Sequence, residues 1–584
     1  MRDRGGRVGR GSPSVSIVVA IFVVIAAVIG CRHAPPDDIH QIADDYIAAW
    51  VEFYPSRALT AGRAESAARI EDFREAAVDA WIAANRRALE RIRRLPRDTG
   101  IDARIDRRLL ERQISKELFE WNEVGIHRTD PQLYSNLVNH ALTPILVRDN
   151  LDDAARLDAV TARLEGLELL CATGRAQLTD GRPAATGASV RDLRSTADFI
   201  QNGLAAALGV APDDGASDEL TAASTRAAAA LRSFADWLEL DLDPTLGDAW
   251  GEPLYARRLA LAYGSDMTPE VLERIAVAEI ETSRQLMADL ARQSTGADAT
   301  AGFDSLVDPL LAEMESHRAH DQQQFLQEFL DLIDRSEQFL REHDLVTLPD
   351  RRTLYTALSP PHFAGAAVGG VYSAGPFDPE AETLFYLPSV PDDAPDDVRD
   401  GFYRSFNTHF NTMIITHEIY PGHYLQLKAA AAHPSPVRPL FAGDDFTEGW
   451  ATFCEQMMLD AGWDDDRVLT RMAHLRKRLE NAVRAYISVQ VHCRGWDLDR
   501  VHSFAVERGV LPPQFADNLW HRALLTPIQL PSYFVGFRIF DAAWHNERDR
   551  LGTEFNAKAF NDAVLASGGV PMDLLDEVLD ERPR

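Results

Sequence analysis

From about Asp38 to Val346, apolar residues recur at intervals of three and four in one segment after another, with abundant Ala, Leu and Arg and hardly any β-branched alternation. A chain patterned in this way buries one stripe per helix and offers no strands for a large sheet, so it is confined to packed helices. The segments are separated by stretches rich in Gly, Pro and Asp: "TGRAQLTDGRPAATGAS" at 173–189, "GVAPDDGASD" at 209–218, "DPTLGDAWGEP" at 243–253 and "STGADATAGF" at 294–303. No fixed-period repeat links them, which favours a packed helical lobe over a solenoid.

The texture changes between Leu345 and Val398, where the chain becomes extended, aromatic and Pro-rich. Leu384 to Leu387, in "GGVYSAGPFDPEAETLFYLPSV", is its most strand-like run and predicts a small β-element. The acidic, Pro-containing "PDDAPDDVRD" then reads as a surface connection before helices resume near Gly401. The expected fold is mainly α, with a helical lobe over 38–345 and a second lobe over 346–584 that carries the β-element.

The N-terminus follows other rules. Arg2, Arg4, Arg7 and Arg10 precede an uninterrupted apolar run from Ile17 to Ile29, which ends in "VIGC" at Cys31. That run is short for a hydrocarbon core of about 30 Å but suits the centre of a signal peptide. The arrangement resembles a lipobox, in which residues 1–30 are removed, Cys31 carries the lipid and 31–37 form a tether. The alternative is an uncleaved N-terminal anchor. Both place the body outside the cytoplasm, and the lipid reading makes the membrane a partner at the periplasm-facing cell envelope.

Loss of residues 1–30 removes four Arg and Asp3 and takes the formal charge from −30 to −33. Such acidity argues against nucleic acid as a partner. Beyond Cys31 only Cys171, Cys454 and Cys493 remain, too few for a disulfide framework, and buried free thiols are expected.

The chemistry gathers in "THEIYPGHYLQ", Thr416 to Gln426. Phe402, Phe406, Phe410, Met413 and His417 fall at intervals of four, four, three and four, the pattern of one buried helical face that should end near Tyr420. His423 follows His417 by six residues, which on a straight helix would leave it about 120 degrees from the His417 face. A bend at Pro421 and Gly422 would have to supply the missing rotation. Otherwise His409, eight before His417, is the alternative second ligand. In "DDFTEGWATFCEQMM", Phe446, Trp450, Phe453 and Met457 form another stripe, with Glu448, Ala451, Thr452 and Glu455 on a different side. The two small residues predict close packing there. Two His from one segment and Glu448 from a neighbouring helix would make a His2Glu zinc site with one position left for water.

"HEIYPGH", "TEGWATFCEQ" and "LPSYFVGFRIFDAAW" together resemble the bacterial family known as domain of unknown function 885, grouped with the zincin-like metallopeptidases. The resemblance runs over most of the chain and is specific in the last 200 or so residues. It implies a large helical zincin-like fold, His417, His423 and Glu448 as ligands of Zn2+, and Glu418 as general base.

Those residue types suit hydrolysis of a peptide bond by a metal-activated water, with Glu418 receiving and returning a proton. Tyr533 and His492 are the candidate donors to the oxyanion and Arg538 a candidate clamp for a substrate carboxylate. Where family members often carry an acidic residue before the His492 position and a basic one after Gly536, this chain has Ser488 and Phe537. The expected protein is an exported, lipid-anchored zinc metallopeptidase for short peptides. Its rivals are an amidase or isopeptidase for cell-wall or other non-peptide amides, and a silent binding lipoprotein.

Overall fold

The computed structural model describes residues 38–581, apart from 97–99, 149–150, 211–214, 299, 360–369, 392 and 465–467 and the side chains of 215–217 and 514. The expected signal segment 1–30, Cys31 and the 31–37 tether lie outside the described residues.

Helices dominate, as the periodicity requires. The first half holds α1 (Ile39–Phe53), α2 (Glu75–Arg94), α3 (Ile101–Leu118), α4 (Asp153–Gln177), α5 (Pro183–Asn202), α6 (Gly215–Leu240), α7 (Pro269–Thr295) and α8 (Gln322–His343), joined by shorter helices and turns. The polar breaks start and stop them. Asp152 accepts from the Ala155 N–H (2.8 Å), Thr268 from Val271 (3.3 Å) and Asp321 from Gln324 (2.8 Å), each satisfying a donor that the first turn leaves unpaired. Pro183 and Pro269 occupy first positions, where no N–H is needed, and Gly296 closes α7 at φ +65°.

The expected β-element is a three-stranded sheet of β1 (Leu354–Leu358), β2 (Gly370–Tyr372) and β3 (Thr383–Leu387). β3 is central, parallel to β1 with Thr356 opposite Phe385 and antiparallel to β2 with Val371 opposite Phe385. Leu384, Phe385 and Leu387 are buried, and Phe385 meets Phe329 of α8 edge to face.

Beyond the sheet come the helix Asp396–Ser405, α9 (Thr408–Glu418), α10 (His423–Ala431), α11 (Asp444–Asp460), α12 (Val468–Arg494) and α13 (Ser532–Leu551). One continuous helix was expected from Gly401 towards Tyr420, and the structure breaks it at Phe406 and Asn407. Asn407 accepts from the Phe410 N–H (3.0 Å) and donates to the Arg404 carbonyl (3.0 Å), so its amide replaces the helical bonds on both sides.

Two hydrophobic cores organise the helices. One combines side chains between 39 and 242 with others between 319 and 463 and between 537 and 578; the second combines 255–314 with 469–535. Neither follows the boundary expected at 345/346, because helices distant in sequence share each core. α7 packs along α12 in the second, while α11 packs along α13, whose Phe534 and Val535 belong to one core and Phe537 and Phe540 to the other. The halves are also pinned by buried charge. Arg438 donates to Asp106 (3.0 Å), Asp102 (2.7 Å) and the Ser567 carbonyl (2.7 Å), and Arg112 of α3 reaches Asp445 of α11 at 3.1 Å.

Among the described residues, no helix is long and apolar enough to cross a membrane. Cys171 and Cys454 are buried and Cys493 half-buried, all free, and burial pushes the Cys171 and Cys493 thiols up to about 12.

Candidate metal centre

α9 ends at Glu418, one residue past His417, and α10 begins at His423 itself. Between them the chain turns so tightly that a Cβ on Gly422 would overlap the carbonyl oxygen of His417, so this turn closes only with glycine. Trp450 of α11 donates its indole N–H to the Pro421 carbonyl at 3.0 Å and anchors the turn from outside. The bend brings the two imidazoles to a centroid separation of 4.7 Å with planes at 88°.

α11 supplies the third group. Glu448 Oε2 lies 3.6 Å from His417 Nε2 and 3.4 Å from His423 Nε2, and one atom from each residue falls within 4.8 Å of the others. Glu448 Oε2 is buried without a hydrogen-bond partner, a costly state for a carboxylate oxygen. Four ligands at about 2.0–2.1 Å around one zinc stand about 3.3–3.4 Å apart along the tetrahedral edges, so the two His–Glu distances match a shared cation better than hydrogen bonds. The donor set and the orphaned oxygen both fit a zinc ion. Among the described residues this is the one cluster of three such groups.

Buried acids polarise the site. Glu455, a further two turns along α11, accepts from His417 Nδ1 at 2.8 Å and lies 3.4 Å from His474 Nδ1 of α12. The Nδ1 bond directs His417 Nε2 toward Glu448. In the metal-free protein burial by itself would lower the His417 pKa, but Glu448 and Glu455 outweigh it and raise it to about 10, so binding a cation there would release that proton. Burial likewise works against ionisation of Glu455, and His417 and His474 reverse that and bring it to about 2. Glu448 is also held well below the usual carboxylate range, by the two histidines against its burial.

The other expected residues divide. Glu418 is half-buried beside His417, and its charge contributes to holding that imidazole protonated. Tyr533 stacks at 6.2 Å from the His417 ring, and its hydroxyl accepts from Gln529 Nε2 (2.9 Å), leaving its own proton to donate. Burial, then the Glu448 charge, pushes its pKa up to about 12, so it is a phenol at neutral pH.

Arg538 is not brought to the cluster. It is exposed, its guanidinium lying over Phe534, because five residues of helix turn it away from Tyr533. His492 is corrected too: Nδ1 accepts from the Trp250 N–H (3.0 Å), Nε2 donates to the Ala523 carbonyl (2.7 Å), and the ring stacks on Tyr255. Burial lowers its pKa to about 4, and it serves as a neutral core residue behind Trp250. Its missing acidic neighbour has no consequence here, since Ser488 instead accepts from Tyr255 and donates to the Pro527 carbonyl. Phe537 is buried beneath Arg478. His409 bonds Thr470 (3.0 Å) and His317 (2.9 Å), which removes it as the second ligand.

The expected close packing involves a different residue. A Cβ on Gly449 would stand 2.5 Å from the Gly536 Cα, so α11 and α13 touch backbone to backbone where Glu448 faces Tyr533. His474 and Gln529 were not foreseen. Each lies in an ordinary amphipathic stretch, and only the fold gives it a partner.

Two cavities adjoin residues next to Tyr533, one at Gln529 and the other at Arg484. One of about 390 Å³ is lined by Trp250, Tyr263, Gly443, Asp444 and Gln529, and a second of about 280 Å³ by Phe410, Lys477, Glu480 and Arg484.

Fold and site together define a class: a large helical protein that presents two His and one Glu from three adjoining helices as a candidate metal centre. The chain belongs to a family of bacterial proteins of unknown function, DUF885, whose pattern matches residues 55–579. Among solved structures it is similar to a protein described as a lipoprotein of unknown function from Shewanella oneidensis, at 20% identity and a TM-score of 0.78, over 93% of this chain and 100% of that one. A protein described as a lipoprotein from Colwellia psychrerythraea is similar at 15% identity and a TM-score of 0.76, over 93% and 99%. At these identities the likeness shows the fold. A chain described as an oligoendopeptidase F from Bacillus anthracis aligns at 11% identity over 94% of this chain and 93% of that one, but its TM-score of 0.28 is too low to bear on fold or chemistry. No curated protein matches.

Proposed function

We propose that this chain is a zinc-dependent hydrolase of peptide bonds, exported and lipid-anchored at the cell envelope. The observation that carries the reading is the convergence of His417, His423 and Glu448, at spacings suited to one tetrahedral cation, beside Glu418.

His417, His423 and Glu448 would hold the ion. When bound, zinc supplies a Lewis acid that acidifies water and polarises a carbonyl. Glu418, outside the ligand set, accepts the proton of the attacking water and returns it to the leaving amine. Tyr533, kept protonated by burial and by Glu448, donates its O–H to the carbonyl oxygen as negative charge develops there. Glu455 keeps His417 in the tautomer that faces the ion. The export reading rests on the sequence ending at Cys31 and is supported by the two similar chains described as lipoproteins.

The test compares the purified chain from residue 31 onward with its Glu418→Gln variant for metal content and for hydrolysis of a mixed peptide library. Equimolar zinc in both, with cleavage by the parent alone, is the expected result. Zinc-free protein with no cleavage would overturn the reading.

A further inference from the structure

Next to Tyr533 the chain buries more positive than negative charge. Lys477 and Arg484 on α12 share one carboxylate, Glu480, with Lys477 Nζ at 3.8 Å and Arg484 in direct contact, and the three side chains are only 12–16% exposed. Arg522, from the helix Pro513–Leu525, donates to the Gln529 amide oxygen at 3.0 Å. Burial, and after it the charge of Arg484, lowers the Arg522 pKa. Three cations thus act on one shared acid, Glu480, and Glu455 is a second acid acting on Lys477. In a chain with a formal charge of −30 there is no shortage of carboxylates to pair with them, and burying a surplus of like charge is unfavourable unless a further anion joins it. Other arginines lining the same cavity do have their own acids: Arg476 meets Glu315 at 3.3 Å and Arg404 meets Asp400 at 2.6 Å.

The place of the surplus is informative. The 280 Å³ cavity opens against Lys477 and Arg484, with Phe410 and Phe515 as apolar walls. Arg484 Cζ lies 5.8 Å from the Tyr533 ring centre, and Tyr533 in turn stacks on His417. Arg522 is joined to Tyr533 through Gln529. Tyr533 therefore stands between the candidate metal centre and the cationic pocket.

We propose that Arg484, Lys477 and Arg522 form a subsite for the free C-terminal carboxylate of a peptide, so that cleavage falls a short distance from the C-terminus. This rests on the peptidase reading above. The planar guanidinium of Arg484 suits a carboxylate, Glu480 orients it, and the apolar walls accept the last side chain. The role first expected of Arg538 falls to residues outside the motifs that the sequence singled out.

The experiment uses the zinc-loaded chain with three matched peptides: one ending in a free carboxylate, its C-terminal amide, and an amide ending in Glu. Free acid should exceed the plain amide in kcat/KM by about tenfold or more, the discrimination expected of a charge-assisted hydrogen bond. Arg484→Gln should remove that preference by raising KM for the free acid, so that the acid and the plain amide are cleaved with equal kcat/KM. Equal cleavage of acid and plain amide by the parent overturns the subsite and leaves the peptidase reading intact. Rescue by the terminal Glu side chain overturns the C-terminal assignment in favour of an acidic-residue pocket. If no peptide is cleaved, binding of the same acid and amide to Glu418→Gln by calorimetry decides: tighter binding of the acid supports the pocket even though the catalytic reading has failed, and equal binding overturns it.

Discussion

Glu455 acts on the candidate metal through His417, which it orients by a 2.8 Å bond from Nδ1. Glu455→Gln keeps the size and removes the charge, and zinc affinity should fall by about tenfold to a hundredfold, the usual effect of losing such an outer carboxylate, as read by chelator competition. His492 makes the opposite kind of prediction. Its folded pKa of about 4 lies below the ordinary histidine value, so the unfolded chain takes up the proton first as pH falls. The stability it contributes is complete above about 6.5, is lost progressively down to about 4, and amounts to about 3 kcal/mol over that window. Denaturation midpoints at pH 7 and pH 5 should therefore differ less in His492→Phe than in the parent. At this scale the sequence singled out His417, His423 and Glu448, which the fold does bring together, because a His-Glu pair, a second His and a Glu are scarce types in a suggestive pattern. It identified the partners of Tyr533 and His492 poorly, because a lone Tyr or His has the same appearance in a core as in a site.

Two glycines on neighbouring helices set how closely Glu448 approaches Tyr533. Gly449→Ala would push a methyl against the Gly536 backbone, and neither helix can yield without disturbing the core on its far side. The expected loss is about 1–3 kcal/mol, seen as a lower thermal midpoint, together with reduced turnover. Gly422→Ala should act on the metal centre: its Cβ cannot coexist with the His417 carbonyl, so α10 shifts and takes His423 with it. Zinc content after dialysis should drop while helicity by circular dichroism stays near the parent's. The Pro-Gly turn was legible from the six-residue spacing, since a straight helix could not join the two histidines. The interruption at Asn407 was not, because an aromatic stripe continues across it and conceals the local bonds of one amide.

Across the whole molecule, the candidate centre sits where α11 and α13 meet, and α13 feeds both cores. Much of the chain before residue 243 has no complete core without side chains from beyond residue 345. A fragment of residues 38–345 should accordingly lack a cooperative unfolding transition in urea, whereas residues 38–584 should show one at the same concentrations. The change of texture near Leu345 was a true signal of the sheet, while both cores draw side chains from either side of it. Local composition reports which elements form, and a boundary depends on which of them share a core.

What the sequence by itself determined is local and periodic: the helical class, the strand at Leu384–Leu387, the turn between the two histidines, and the identity of three candidate metal ligands. These follow from side-chain spacing and from the conformational limits of Pro and Gly, which act over a few residues. Only the tertiary structure decided that Glu455 and His474 stand behind His417, that Gly449 meets Gly536, that His492 is enclosed, and that Arg484 and Arg522 flank Tyr533. Each of those contacts joins helices separated by connections of different length, and no sequence period records how close the packing of two cores brings them.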